Sequence, residues 1–203
     1  MIRTEDRGGA RLVVLDRPDK ANALTQGMLA ALDGSVAQAG VDGVAVLVLT
    51  GNGKVFSAGA DLEGMAQGLA HAPEWEILSR RIAGYPGLTV AALNGTLAGG
   101  AFGMVLACDL RVAVPRAEFF YPVMKRGYLP QPSDPQRLAA LVGPARARQV
   151  ILAGRRIAAG EARDWGLVDL LAEDAVEGAL ALVADALGAA PAHVRRMKAM
   201  FRD

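Results

Sequence analysis

Phe56-Ser57-Ala58-Gly59-Ala60-Asp61-Leu62 and Asn94-Gly95-Thr96-Leu97-Ala98-Gly99-Gly100-Ala101-Phe102 are the two stretches that decide how this chain is read. Each follows a run with the character of a buried strand and opens a segment with the character of a helix. Small residues at such a strand-to-helix corner let a ligand approach the backbone closely. The first amides of a helix have no partner within it and point outward, so they favour negative charge. Two corners of this kind, facing each other, offer two backbone N–H groups to one oxygen atom, an oxyanion hole. Close packing alone also accounts for glycine-rich corners in α/β folds, so on the residues alone both readings stand. Neither corner is a Walker phosphate loop, because no Gly-Lys-Ser/Thr follows, and residues 98–103 do not spell Gly-x-Gly-x-x-Gly.

Outward from the corners, residues 11–15, 44–49, 89–93, 110–114 and 167–171 are short apolar runs, expected as strands. The run at 44–49 is continuously apolar and suits a strand buried on both faces. Thr25 is placed to cap a helix carrying Met28, Leu29, Leu32 and Val36. Residues 62–69 and 99–107 are expected as helices opening from the two corners, and Trp75, Leu78, Ile82 and Tyr85 fall at helical spacing. Further helices are expected near 136–141, 145–152, 161–165, 174–187 and 191–201. Buried strands alternating with helices predict an α/β layered fold with largely parallel strands.

The chain has 203 residues, about one domain's worth at ~150 residues per domain. Hydrophobic residues make up 52% and charged residues 21%, a balance that buries a core and excludes long disorder or a collagen-like repeat. Lys and Arg number 22 against 21 Asp and Glu, so the basic excess of a nucleic-acid binder is missing. Cys108 is the sole cysteine, which rules out an intrachain disulfide and fits a reducing compartment. The N-terminus is charged without an apolar h-region, and no apolar run approaches ~18 residues. The expectation is a soluble cytoplasmic protein with neither a nucleic-acid nor a membrane partner.

A series of segments carries a resemblance. Leu15-Asp16-Arg17-Pro18 with Asn22-Ala23-Leu24 comes first, then the corner at 56–62. Ala91-Ala92-Leu93-Asn94-Gly95, Gly99-Gly100 and Ala107-Cys108-Asp109-Leu110-Arg111 follow, then Gln136-Arg137-Leu138 and Gly166-Leu167-Val168. In order and spacing this series resembles the crotonase (enoyl-CoA hydratase/isomerase) superfamily over most of the chain. Any one segment alone is weak; the series is specific.

The resemblance implies an α/β crotonase-like core of ββα spiral turns over residues 1–172, and a shortened, truncated helical C-terminal region over 173–203. It implies an acyl-CoA substrate, with coenzyme A as part of that substrate and no other tightly bound cofactor or metal. It also implies a homotrimer or dimer of trimers. The shared chemistry is stabilisation of a thioester enolate by two backbone amides, which by motif position belong to Ala60 and Gly100. Ala58, Gly59, Asp61, Leu62 and Glu63 would line the substrate site, with Lys20, Asn22 and Ala23 near the nucleotide end. Gly99, Gly103, Tyr121, Val123, Tyr128 and Gln131 would shape the pocket. Departures matter as much. The two positions that carry glutamates in a family hydratase are Gly103 and Val123 here, and a third position used by other members is Gln131. None of these side chains moves a proton, so plain enoyl-CoA hydration is not expected.

Tyr121, Lys125, Tyr128, Asp134 and Glu63 are the residues on hand to replace them. Each also has an ordinary structural reading. Glu63 suits a helix dipole, and Asp61 and Asp134 suit helix caps. The tyrosines suit aromatic packing with one hydrogen bond. Lys125 and Arg126 suit solvent or a ligand's phosphates. His71 and His193 have no catalytic companion at a recognisable spacing, and Cys108 sits in an apolar run as an inert thiol. Three functions compete: an acyl-CoA enzyme favouring decarboxylation or thioester hydrolysis, a non-catalytic acyl-CoA binder, and a structural subunit with a closed pocket.

Overall fold

A computed structural model describes residues 1–201. The strands are β1 (Ile2–Arg7), β2 (Ala10–Leu15), β3 (Val46–Gly51), β4 (Val55–Ser57), β5 (Leu88–Leu93), β6 (Thr96–Ala98), β7 (Leu110–Ala113), β8 (Glu118–Phe120), β9 (Ile157–Ala158) and β10 (Leu170–Leu171). The helices are α1 (Gln26–Val41), α2 (Leu62–Ala66), α3 (Glu74–Ala83), α4 (Phe102–Leu106), α5 (Val123–Arg126), α6 (Asp134–Val142), α7 (Pro144–Ile151), α8 (Ala159–Asp164), α9 (Ala175–Leu182), α10 (Ala184–Gly188) and α11 (Pro191–Ala199).

The strands form two sheets. One has the order β1-β2-β3-β5-β7-β10 and is parallel apart from β1 against β2. The other has the order β4-β6-β8-β9, parallel apart from β8 against β9. From β3 to β8, successive strands therefore alternate between sheets. β3 then β4, β5 then β6, and β7 then β8 each give one strand to either sheet before a helix begins. This is the ββα spiral. Val46, Leu47, Val48 and Leu49 in the centre of the larger sheet are all essentially inaccessible, as a continuous apolar run on a two-sided strand requires.

Several local expectations meet the structure directly. Thr25 caps α1, its Oγ1 accepting from the Met28 amide at 3.2 Å. Trp75, Leu78 and Ile82 are the buried face of α3, with Tyr85 just beyond its end. The expected helix at 62–69 is shorter, ending at Ala66 with a separate 3-10 turn at Leu69–His71. The expected helix at 174–187 is broken at Val183, where α9 gives way to α10. α9 lays Ala175 and Ala179 into the common core against β5 and β7. Arg111 is a buried tie: its guanidinium donates to the carbonyls of Cys108 at 2.8 Å and Leu167 at 2.9 Å, which joins the 107–111 and 166–168 segments. Among the described residues no helix is long and apolar enough to cross a membrane.

Candidate active site

The smaller sheet builds the site. β4, β6 and β8 lie side by side and parallel, so the chain leaves all three at the same end. The exits are Ala58-Gly59-Ala60, Gly99-Gly100 and Tyr121-Pro122, and all three border one cleft of about 430 Å³. The two glycine corners touch through backbone. Gly59 has φ +90°, and a Cβ placed on it would lie 2.8 Å from the Ala98 carbonyl oxygen and 3.3 Å from the Gly99 Cα. Only glycine meets both demands.

The first corner is strapped to residues 21–24. Ala58 donates to the Ala21 carbonyl at 2.9 Å, Leu24 donates to the Gly59 carbonyl at 2.7 Å, and Asp61 donates to the Leu24 carbonyl at 2.9 Å. This is a parallel bridge between Leu24 and Ala60, in which the residues flanking Ala60 make the bonds. The Ala60 N–H is thereby turned away from Leu24. Among the described residues, neither the Ala60 amide nor the Gly100 amide has a hydrogen-bond acceptor, and both residues line the cleft. Two unpaired donors on one cavity can hold an oxygen that gains negative charge. The Trp75 ring closes over Gly100, 3.3 Å from where a Cβ would stand, and its indole N–H is fixed on the Leu69 carbonyl at 2.8 Å.

Most of the expected site residues gather here. Ala58, Ala60, Gly99 and Gly100 line the cleft with Tyr121, Val123, Tyr128 and Gln131, and Lys20, Ala23, Asp61, Leu62 and Glu63 border it as well. Asn22, Gly59 and Gly103 do not reach it. Asn22 is fully buried; its side-chain nitrogen donates to the carbonyls of Asn52 at 2.9 Å and Val55 at 2.8 Å, and its oxygen accepts from the Arg17 amide at 2.9 Å. With φ at 53°, it is a scaffold residue in a left-handed turn. Asp61 is the N-cap of α2, its Oδ1 accepting from the Glu63 and Gly64 amides at 3.1 and 3.3 Å. Its Oδ2 meets the Arg17 guanidinium at 2.6 Å, which holds the carboxyl below the usual range despite burial. Glu63 stands in the first turn of that helix, where a negative charge is favoured. His71 packs edge-on to Tyr128, centroids 6.0 Å apart, and so braces the cleft lining. Cys108 is buried, and burial pushes its thiol up to about 12.

Asp134 departs from its expected role. Ser133 is the residue before α6, and Asp134 is the first residue within it, with its carboxyl turned inward. It caps nothing. The Tyr121 hydroxyl donates to Asp134 Oδ2 at 2.8 Å, and Asp134 Oδ1 has no partner among the described residues. A Cβ placed on Gly103 would lie 3.0 Å from that Oδ1. Burial is the main cause that pushes the Asp134 carboxyl up to about 7. Ser133, whose hydroxyl suits a cap, donates instead to Glu76. Sequence order hides this arrangement, since Gly103 lies in α4, Tyr121 at the exit of β8 and Asp134 at the start of α6.

Arg17, Trp75, Phe120 and Leu129 also border the cleft, as does Arg126. Of these, Trp75 had been legible only as the inner face of a helix, and Arg17 only as part of a motif.

A sequence profile described as enoyl-CoA hydratase/isomerase matches residues 5–203. The 4-chlorobenzoyl coenzyme A dehalogenase-1 of an Arthrobacter species is 35% identical over 205 residues, covering 96% of this chain and 74% of its own. A probable enoyl-CoA hydratase of Mycobacterium leprae is 32% identical, covering all of this chain and 83% of its own. Among solved structures, an enoyl-CoA hydratase from Bacillus anthracis superposes with a TM-score of 0.93 at 29% identity, covering 100% of this chain and 82% of its own. DspI from Pseudomonas aeruginosa superposes at 0.90 and 30% identity, covering 99% of this chain and 86% of its own.

Proposed function

The chain belongs to the enoyl-CoA hydratase/isomerase family, and on that premise we propose that its cleft binds an acyl-coenzyme A thioester and holds the developing enolate oxygen between the Ala60 and Gly100 amides. The observation that carries this reading is that both amides border the cleft without an acceptor of their own. An enolate puts charge on the former thioester oxygen, and a preorganised donor at such an atom contributes on the order of 3 kcal/mol to barrier lowering. Relatives whose names specify a dehalogenase and a hydratase support a shared thioester ligand more than any one reaction. Lys20 and Arg126 bring positive charge to the cleft, which suits the phosphates of coenzyme A, and no further cofactor is called for.

The reaction favoured is loss of carbon dioxide from a malonyl-type CoA ester, with thioester hydrolysis as the second possibility. Gly103 and Val123 supply no carboxylate to activate water. Val123, Trp75, Met65 and Leu129 give the cleft an apolar component that disfavours a free substrate carboxylate and so favours its departure as carbon dioxide. The same reading includes a cytoplasmic homotrimer or dimer of trimers, checked by light scattering after size exclusion.

The test is a panel of malonyl-CoA, crotonyl-CoA and butyryl-CoA, followed by mass spectrometry of the products. Acetyl-CoA from malonyl-CoA is expected, and brisk hydration of crotonyl-CoA would overturn the assignment. A non-catalytic binder instead shows a raised melting temperature with these esters and no product.

A further inference from the structure

Resting on the acyl-CoA reading above, we propose that Tyr121 is the proton donor of this site and that Asp134 is the reservoir behind it, a carboxyl delivered from α6 into the space beside Gly103. Tyr121 borders the cleft at the exit of β8, and its ring is stacked on Phe102 with centroids 5.2 Å apart and planes 16° from parallel. The stacked ring sets the hydroxyl oxygen 2.8 Å from Asp134 Oδ2, close enough for the shared proton to sit on either oxygen, and the Gln131 amide donates to the same hydroxyl oxygen at 3.4 Å. Asp134 is fully buried and does not border the cleft, so it reaches the ligand only through Tyr121.

Two observations make this more than packing. The Asp134 Oδ1 has no partner among the described residues, and a buried carboxylate with one bare oxygen is costly. A carboxylic acid sits there at lower cost, which agrees with a carboxyl pushed up to about 7. The second is Gly103, whose missing side chain provides the room: a Cβ there would come within 3.0 Å of Oδ1. The charged groups acting on Asp134 are Arg137, one turn along α6, which favours the carboxylate, and Glu76 on α3, which opposes it. Ser79 and the Gly103 carbonyl, bonded to each other at 2.9 Å, lie in the same interface without charge.

Cleavage of the bond between the α-carbon and the carboxylate releases carbon dioxide and leaves the electron pair in the enolate. The α-carbon takes the Tyr121 hydroxyl proton, and the Tyr121 oxygen takes the Asp134 proton. The Asp134 carboxylate regains a proton from solvent between turnovers, so each carbon dioxide released consumes one proton. Burial and the adjacent Asp134 hold the Tyr121 hydroxyl in its protonated form, so the two transfers are coupled.

The experiment compares the parent protein with Tyr121→Phe and Asp134→Asn. Malonyl-CoA decarboxylation is followed from pH 5.5 to 9, and butyryl-CoA affinity reports folding and binding. For the parent, kcat should fall as pH rises through about 7. Tyr121→Phe should lower kcat by roughly 10²-fold or more with butyryl-CoA affinity retained. Asp134→Asn should lower kcat and remove the pH dependence near 7, a change that a purely structural role would not produce. Variants that keep the parent's kcat and pH profile overturn the pairing and leave the acyl-CoA reading intact. A parent that binds butyryl-CoA yet leaves malonyl-CoA unchanged also overturns the pairing, and one that binds neither overturns both.

Discussion

Asp134 Oδ1 occupies the space into which a side chain at Gly103 would grow, 3.0 Å from the position of a Cβ there. A side chain at position 103 and the start of α6 therefore compete for one volume. Gly103→Glu should not create a hydratase by itself. It should place a second carboxyl against a buried first one and destabilise the fold by more than ~2 kcal/mol. Adding Asp134→Gly should recover much of that loss, a coupling read by a double-mutant cycle in urea. Additive losses would show that the two positions do not share the space.

Stability should depend on pH through Asp134. Its folded value, about 7, lies above the ordinary carboxyl value of 3.8, so the stability it allows is present below about 3.8 and is lost as pH rises through about 7. The difference is worth at most about 4 kcal/mol. Asp134→Asn should match the parent in acid and exceed its stability near pH 8, measured by denaturant midpoints. A variant less stable than the parent at pH 8 would contradict this.

Asn22 is predicted to matter for folding more than for ligand contact. Its side chain makes three hydrogen bonds from a fully buried position. At about 1 kcal/mol each, plus buried groups left unpaired, Asn22→Ala should cost about 3–5 kcal/mol. Thermal unfolding should show the loss in the absence of any CoA ester. A variant with unchanged stability and weakened affinity would return Asn22 to the ligand.

The fold was legible where local chemistry and tertiary role agree. Thr25 before an apolar stripe is a cap in both, and the run at Val46–Leu49 is a core strand in both. The smaller sheet was not legible, because β4, β6 and β8 are three residues each and too short to show a period. β1 was hidden by its charge; as an edge strand it pairs only with β2 and leaves Arg3 and Arg7 exposed. The two corners were legible because glycine at a positive φ is a local demand, as at Gly59 and Gly99. Asp134 was misread for the opposite reason. Beside Ser133 it looks like a cap, while its actual partners are set by packing with Gly103 and Tyr121.

Lys20 and Arg126 are predicted to meet the phosphates of coenzyme A. Lys20→Gln and Arg126→Gln should each weaken butyryl-CoA binding several-fold and reduce its dependence on salt, as expected for partly exposed charge pairs. Isothermal titration at two ionic strengths checks this. Unchanged affinity at low salt in both variants would place the phosphates elsewhere.

No side-chain substitution removes the Ala60 and Gly100 amides, so their effect is best read on the ligand. A butyryl-CoA labelled with ¹³C at the thioester carbonyl, bound to the parent protein, reports the polarisation of that carbonyl through its chemical shift and its infrared stretch. Hydrogen bonds from Ala60 and Gly100 should move the resonance downfield and lower the stretching frequency relative to free ligand. A bound ligand whose carbonyl keeps its solution shift and frequency, or moves toward an apolar environment, would contradict the oxyanion hole.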